Sequence, residues 1–324
     1  MRLANVIDPR TGQVLPVIEP HDGACVPLSE IFASTGGDVP QFAANMKLAV
    51  EHLGEIRTAL GEWGRRHSRG RLDLAEAPLL PPVVQPGTFR DFYAFEQHVA
   101  RCRAKRGLAM EPAWYEQPAF YFSNPVALAG HEAPVHAPLG CRELDFELEL
   151  GLVIGRPGRD IPADRTWDHV AGFTIINDFS ARDLQRREMA VGLGPAKGKD
   201  FATAVGPCLV TLDEFRDRID ESGKLRLRMA ARVNGRELSQ GNSASMYFTW
   251  PRIIEQASRD AELLPGDLLG SGTVGTGCIL ELGPENTGGW LVPGDEVELE
   301  IERLGVLRTP ITARKVETAI EPRA

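Results

Sequence analysis

The chain has 324 residues, with 45 acidic against 36 basic side chains and a net charge of −9 when histidine is neutral. Its 43% hydrophobic and 25% charged residues are ordinary globular usage, which excludes long disorder, collagen and coiled coil. An acidic chain without a basic block is a poor partner for a phosphate backbone, and no apolar run approaches the ~18 residues that cross a bilayer. Asp8 and Arg10 interrupt the N-terminus before a signal-peptide core could form. These features predict a cytoplasmic protein with no nucleic-acid or membrane partner.

In chain order, LANVID, QVLPVIE and ACVPLSE read as short strands separated by turn residues. FAANMKLAVEHLGEIRTALGEWGRR follows with apolar residues at helical spacing. LAEAPLLPPVVQPG, with Pro78, Pro81, Pro82 and Pro86, is the best boundary candidate. It predicts a small N-terminal α+β domain over 1–85 and a larger domain over 86–324. Beyond it, ELDFELELGLVIG, VAGFTIINDFSA and DEVELEIERLG read as strands, and KLRLRMAARVNGREL as a hairpin turning at Asn234-Gly235. FRDFYAFEQHVARCRAKRG, SARDLQRREM and TWPRIIEQASRDAEL read as helices. A strand-dominated α+β domain closing on itself fits better than regular βαβ alternation.

Several familiar motifs fail. GPAKGKD has the wrong glycine spacing for a phosphate loop, and Lys199 is followed by Asp200. GSGTVGTG lacks the strand-to-helix context of a dinucleotide fingerprint. GxSxG and HExxH are absent. The five cysteines, Cys25, Cys102, Cys141, Cys208 and Cys278, are far apart with no CxxC. That spacing argues against a disulfide framework or a thiolate zinc site, and for reduced, partly buried thiols.

The informative segment is DFELELGLVI. In a strand, Glu147 and Glu149 share a face, with carboxylates roughly 7 Å apart. Because that face continues into Gly151 and Val153, it is not an open solvent face. Two buried like charges repel unless protons or a cation neutralise them, and a hard divalent ion with oxygen ligands does so. The same ExE spacing at Glu296, Glu298, Glu300 and Glu302 reads instead as a solvated face. Asp178 ends an apolar strand, and Asp91 follows the proline stretch; each is either a further ligand or a helix cap. His98 lies two helical turns after Asp91 if FRDFYAFEQH is helical, which would place both on one face. Arg182 and Gln185 would share a helix face, and Lys199 and Thr203 sit together in GKDFAT. Glu281 interrupts GCILEL, read as an apolar strand; a buried glutamate beside a histidine would orient it as a general base.

DFYAFEQH, LDFELELGLVIG, NDFSARDLQ, LGPAKGKDFAT, LLPGDLLGSGT and GCILEL occur in this order between residues 91 and 281. Together they resemble the fumarylacetoacetate hydrolase family, its long members more than its short ones. The resemblance implies an α+β, strand-rich catalytic domain whose mixed β-sheets roll into a barrel-like core, plus a small N-terminal domain. It also implies a homodimer and a Mg2+ or Ca2+ ion, with Mn2+ a third candidate. Asp91, Glu147, Glu149 and Asp178 would ligate the ion, and His98 would be the base, paired with Glu281. Tyr93, Tyr121, Arg182, Gln185, Lys199 and Thr273 would meet the substrate, Lys199 also stabilising developing charge. Thr203 would lie beside Lys199 at a secondary cation position. A family arginine falls at Gly107, beside Arg106, and EPAWYEQPAFYF keeps Trp114 and Tyr121 but differs around them.

The reaction implied is hydrolysis of a C–C bond in a β-diketo acid, fumarylacetoacetate or a related acylpyruvate, as in aromatic-ring degradation. Water would be activated by His98/Glu281 and the enolate product stabilised by the cation. One alternative keeps the site but decarboxylates or isomerises a 2-oxo diacid. Another, of a different class, is a non-catalytic protein with a structural ion.

Overall fold

The structure, a computed structural model, describes residues 1–8, 11–21, 24–65, 72–73 and 78–314. Residues 74–77 of the proline-rich boundary and the tail from 315 lie outside the described residues. Strands β1 (Arg2–Ile7), β2 (Val14–His21) and β3 (Ala24–Pro27) form an antiparallel meander. The single long helix expected next is broken: Met46–Ala49 is one short piece, and α1 (Leu53–Gly64) starts after residues 50–52. Asn45 caps the first piece by accepting from the Lys47 N–H, so it begins at that cap.

The segment FRDFYAFEQH is not one helix. β4 (Phe89–Phe92), buried along its length, is followed by α2 (Glu96–Ala104). Asp91 and His98 therefore sit on different elements, and neither Asp91 nor Asp178 caps a helix. Next come β5 (Phe120–Phe122), β6 (Leu148–Ile154), β7 (Val170–Asp178), α3 (Arg182–Ala190) and β8 (Thr203–Thr211). Every residue of β6 and β7 is buried, as near-continuous apolar runs predict for central strands.

The hairpin of β9 (Arg228–Val233) and β10 (Arg236–Asn242) turns at Asn234-Gly235, where φ is 52° and 75°. That turn needs positive φ at both positions, which Asn and Gly tolerate. α4 (Trp250–Ser258), β11 (Leu268–Thr273), α5 (Ile279–Leu282), β12 (Glu296–Ile301) and β13 (Gly305–Pro310) complete the chain. GCILEL is thus a short helix, not a strand. Its first N–H groups, of Ile279 and Leu280, both donate to the buried Asp145 carboxylate, an anion at the helix start. In β12 the buried residues are Val297, Leu299 and Ile301. Glu298, Glu300 and Glu302 on the other face pair with Arg308, Arg232 and Arg218.

Among the described residues, twelve strands join one mixed sheet, whose main path runs Leu72–Asp73, β3, β2, β1, β8, β7, β6, β11, β4, β5. Strands β10, β9, β12 and β13 form a second, antiparallel sheet. No pairing among the described residues closes the large sheet into a barrel. The N-terminal meander is not a separate sheet: Arg2 lies opposite Val210 and Leu3 opposite Leu209. The α-amino group donates to Thr211 and Glu214 at 2.7 and 2.9 Å. Leu3, Ile18, Ile31 and Ile56 share one apolar cluster with Val153, Ile176, Leu209 and Leu268.

Candidate metal and acid–base site

One end of the large sheet gathers the acidic residues. The sheet pairs Asp91 with both Gly270 and Tyr121, Glu149 with Thr273, and Asp178 with Thr203. Carboxylate oxygens of Asp91, Glu149 and Asp178 all lie within 4.8 Å of one another, buried. Asp91 Oδ1 and Glu149 Oε2 have no hydrogen-bond partner. Both oxygens face Gly270, where a Cβ would stand 2.2 Å from the first and 3.2 Å from the second. Only glycine leaves the carboxylates this room. Burial first, and then the neighbouring carboxylates, push the Asp91 and Glu149 carboxyls well above the usual range. Unpartnered oxygens in a glycine-lined cradle fit a hard cation with oxygen ligands, and these three residues could hold it.

Glu147 takes a different place. Both its oxygens are engaged by organic cations: Arg182 Nη2 at 2.6 Å and Lys199 Nζ at 2.5 Å. Burial opposes the ionised form, but Lys199 and Arg182 outweigh it and hold this carboxyl far below the usual range. The Lys199 ammonium also pairs with Asp178. Asp178 further accepts from the Tyr121 hydroxyl at 2.5 Å and from Thr203 Oγ1 at 3.2 Å. Arg182 is braced by Asp145 at 2.8 Å and donates to Gln185 at 3.1 Å. Thr273 Oγ1 reaches Glu149 at 3.3 Å.

The third component is a histidine–carboxylate pair. His98 Nδ1 lies 2.5 Å from Glu281 Oε1, and Glu281 Oε2 accepts the Thr276 N–H at 3.0 Å. Burial disfavours the imidazolium, but hydrogen bonds to Cys278 and Glu281 outweigh it and push His98 up to about 10. The Tyr93 ring stands edge-on to the imidazole, 5.4 Å between centroids. In the neutral imidazole, a carboxylate on Nδ1 fixes the tautomer with the lone pair on Nε2.

A cavity of about 400 Å3 joins these parts, lined among others by Asp91, His98, Glu149, Lys199, Tyr121 and Thr273. Tyr93, Glu147, Arg182 and Gln185 also line it; Asp178, Thr203 and Glu281 stand behind that wall as partners of lining groups. Sequence reading overlooked Asp145 and Gly270. Asp145 has the same parity as Glu147 and Glu149, which was its available signal. Gly270 had none, because its importance is the space it leaves for side chains from β4 and β6.

The family model described as fumarylacetoacetate (FAA) hydrolase C-terminal matches residues 87–312. The chain belongs to the fumarylacetoacetate hydrolase family. Within this family, it is 33% identical over 204 residues to the oxaloacetate tautomerase YisK of Bacillus subtilis, covering 60% of this chain and 62% of that protein. It is 28% identical over 278 residues to the fumarylacetoacetase of Bos taurus, covering 67% of this chain and 65% of that enzyme. The chain thus spans less than two thirds of the length of these two relatives. The maleylpyruvate hydrolase of Sphingobium sp. SYK-6, solved with manganese(II) and pyruvate, shares the fold at a TM-score of 0.70 and 23% identity, over 96% of this chain and 99% of that one. Family members so named include hydrolases and tautomerases, and the expected α+β, strand-rich architecture is theirs.

Proposed function

We propose that the protein hydrolyses a C–C bond in a β-diketo acid of the acylpyruvate type, fumarylacetoacetate being one example, with a divalent cation as cofactor. The observation that supports this most is that His98, backed by Glu281, opens onto the same cavity as Asp91 and Glu149 of the carboxylate cluster. Asp91, Glu149 and Asp178 would hold Mg2+, Ca2+ or Mn2+, with Glu147 nearby as anchor for Lys199 and Arg182. The ion would supply Lewis acidity toward substrate oxygens and a positive charge that lowers the proton affinity of His98.

His98 Nε2 then removes a proton from water while Glu281 stabilises the imidazolium that forms. Arg182, Gln185 and Lys199 are placed to face negative charge developing on the attacked carbonyl. Tyr93, Tyr121 and Thr273 orient the substrate. Arg106 lines the cavity and donates to the Cys102 carbonyl and Met189 Sδ rather than to a carboxylate. It can therefore receive an anionic end of the substrate. We include a homodimer in this proposal, checked by sedimentation.

The deciding experiment is a panel of acylpyruvates, fumarylacetoacetate and oxaloacetate, assayed with and without EDTA. Metal-dependent release of two acids supports hydrolysis. Interconversion of enol and keto forms without cleavage supports the second reading, a tautomerase, which the 33% identity to YisK favours; release of CO2 would indicate a decarboxylase. A protein stabilised by the ion but inert toward the whole panel would refute both catalytic readings.

A further inference from the structure

Two cysteines that are distant in the chain meet beside the histidine. Cys102 follows His98 by one turn of α2, with Sγ 3.7 Å from Nε2. Cys278, fully buried, immediately precedes α5. One ligand atom each from His98, Cys102 and Cys278 lie within 4.8 Å of one another. A tetrahedral zinc ion, with Zn–S near 2.3 Å and Zn–N near 2.0–2.1 Å, separates its ligands by roughly 3.5–3.8 Å. Cys102 Sγ also lies 3.9 Å from Nδ1, so it stands over the ring face, and ligation requires the imidazole to turn toward the sulfurs as well as the ligands to draw together. We propose that His98, Cys102 and Cys278 form a second cation site, selective for a thiophilic ion such as Zn2+.

The donor sets divide the two sites by chemistry: carboxylate oxygens favour hard ions, and sulfur with imidazole favours soft ones. Glu281 on Nδ1 is the outer carboxylate that orients a ligating imidazole and strengthens its basicity. Two thiolates and a neutral imidazole cancel the charge of a dication, and the Glu281 carboxylate beside them keeps Arg101 at 3.9 Å and the Thr276 N–H as partners. His98 and Cys102 line the cavity, which gives the ion its path and leaves a fourth position for water. Binding displaces the thiol protons and the imidazolium proton, so it strengthens as pH rises. An ion ligated by His98 takes away the basicity assigned to it above, so Zn2+ inhibits; this consequence rests on the proposed function, whereas the site does not.

The test starts from protein saturated with Mg2+ and titrated with Zn2+, the zinc environment being read by X-ray absorption. Two sulfur neighbours at about 2.3 Å are expected; a shell of oxygen and nitrogen alone overturns the site. This readout uses the unmodified chain and does not depend on any variant folding. Cys102→Ser and Cys278→Ser should each weaken Zn2+ binding roughly tenfold or more, while Cys141→Ser should not. Unchanged affinity in both of the first two variants also overturns the site. Turnover is followed separately: zinc bound through two sulfurs with turnover intact would leave the site standing and remove His98 from the proposed chemistry.

Discussion

At the scale of single residues, each buried carboxylate here finds a different answer to burial. Glu147 is neutralised by Lys199 and Arg182, whereas Asp91 and Glu149 keep unpartnered oxygens and bind protons tightly. Glu281 uses a histidine. We expect His98→Ala to lower turnover by about 10²–10⁴-fold while calorimetric titration still shows Mg2+ binding. Normal turnover would exclude His98 as the base. The same residue makes stability depend on pH in the metal-free protein. Its native pKa, about 10, lies above the 6.5 of an ordinary histidine. Its contribution is therefore complete below about pH 6.5 and lost as pH rises through about 10. The melting temperature of wild type should fall more steeply across that window than that of His98→Gln. Equal slopes would show that no charged pair exists.

At the scale of elements, the site depends on what neighbouring strands leave open. Gly270 on β11 stands beside Asp91 on β4 and Glu149 on β6. In Gly270→Ala the new methyl must displace the Asp91 carboxylate. Mg2+ affinity should drop roughly tenfold or more, with a stability cost of about 1–3 kcal/mol; calorimetry and thermal melts read the two effects. Asp145 joins three elements: it accepts from Arg182 on α3 and from the first N–H groups of α5, which holds Glu281. Asp145→Asn leaves Arg182 with Glu147 as its remaining carboxylate partner among the described residues, and breaking a buried pair on one side should cost about 3 kcal/mol in urea denaturation. A loss below 0.5 kcal/mol would show that the Arg182–Asp145 contact is energetically idle.

At the scale of the whole molecule, three strands, β4, β6 and β7, must be in register before the carboxylate cluster exists. Binding of an ion there would therefore be coupled to folding. With Mg2+ at about 100 times its Kd, the gain is about 2.7 kcal/mol, roughly 4 °C in melting temperature for a chain of this length. EDTA should reverse it; an unchanged melt would contradict the coupling. The β1–β8 pairing joins the N-terminal meander to the large sheet, and the division into domains at 85/86 remains a proposal.

Local pattern by itself determined the central apolar strands, the Asn234-Gly235 hairpin, the solvated face of β12 and the carboxylate-bearing segments, because alternation and turn chemistry act between near neighbours. It misread FRDFYAFEQH and GCILEL, where parallel pairing with β11 and the Asp145 carboxylate override the local preference. Only the tertiary structure decided which carboxylates meet one another and which meet Lys199, why residue 270 must be glycine, and that Cys102 and Cys278 flank one imidazole. Those outcomes depend on distances between groups far apart in the chain, and such distances exist only once the strands are laid side by side.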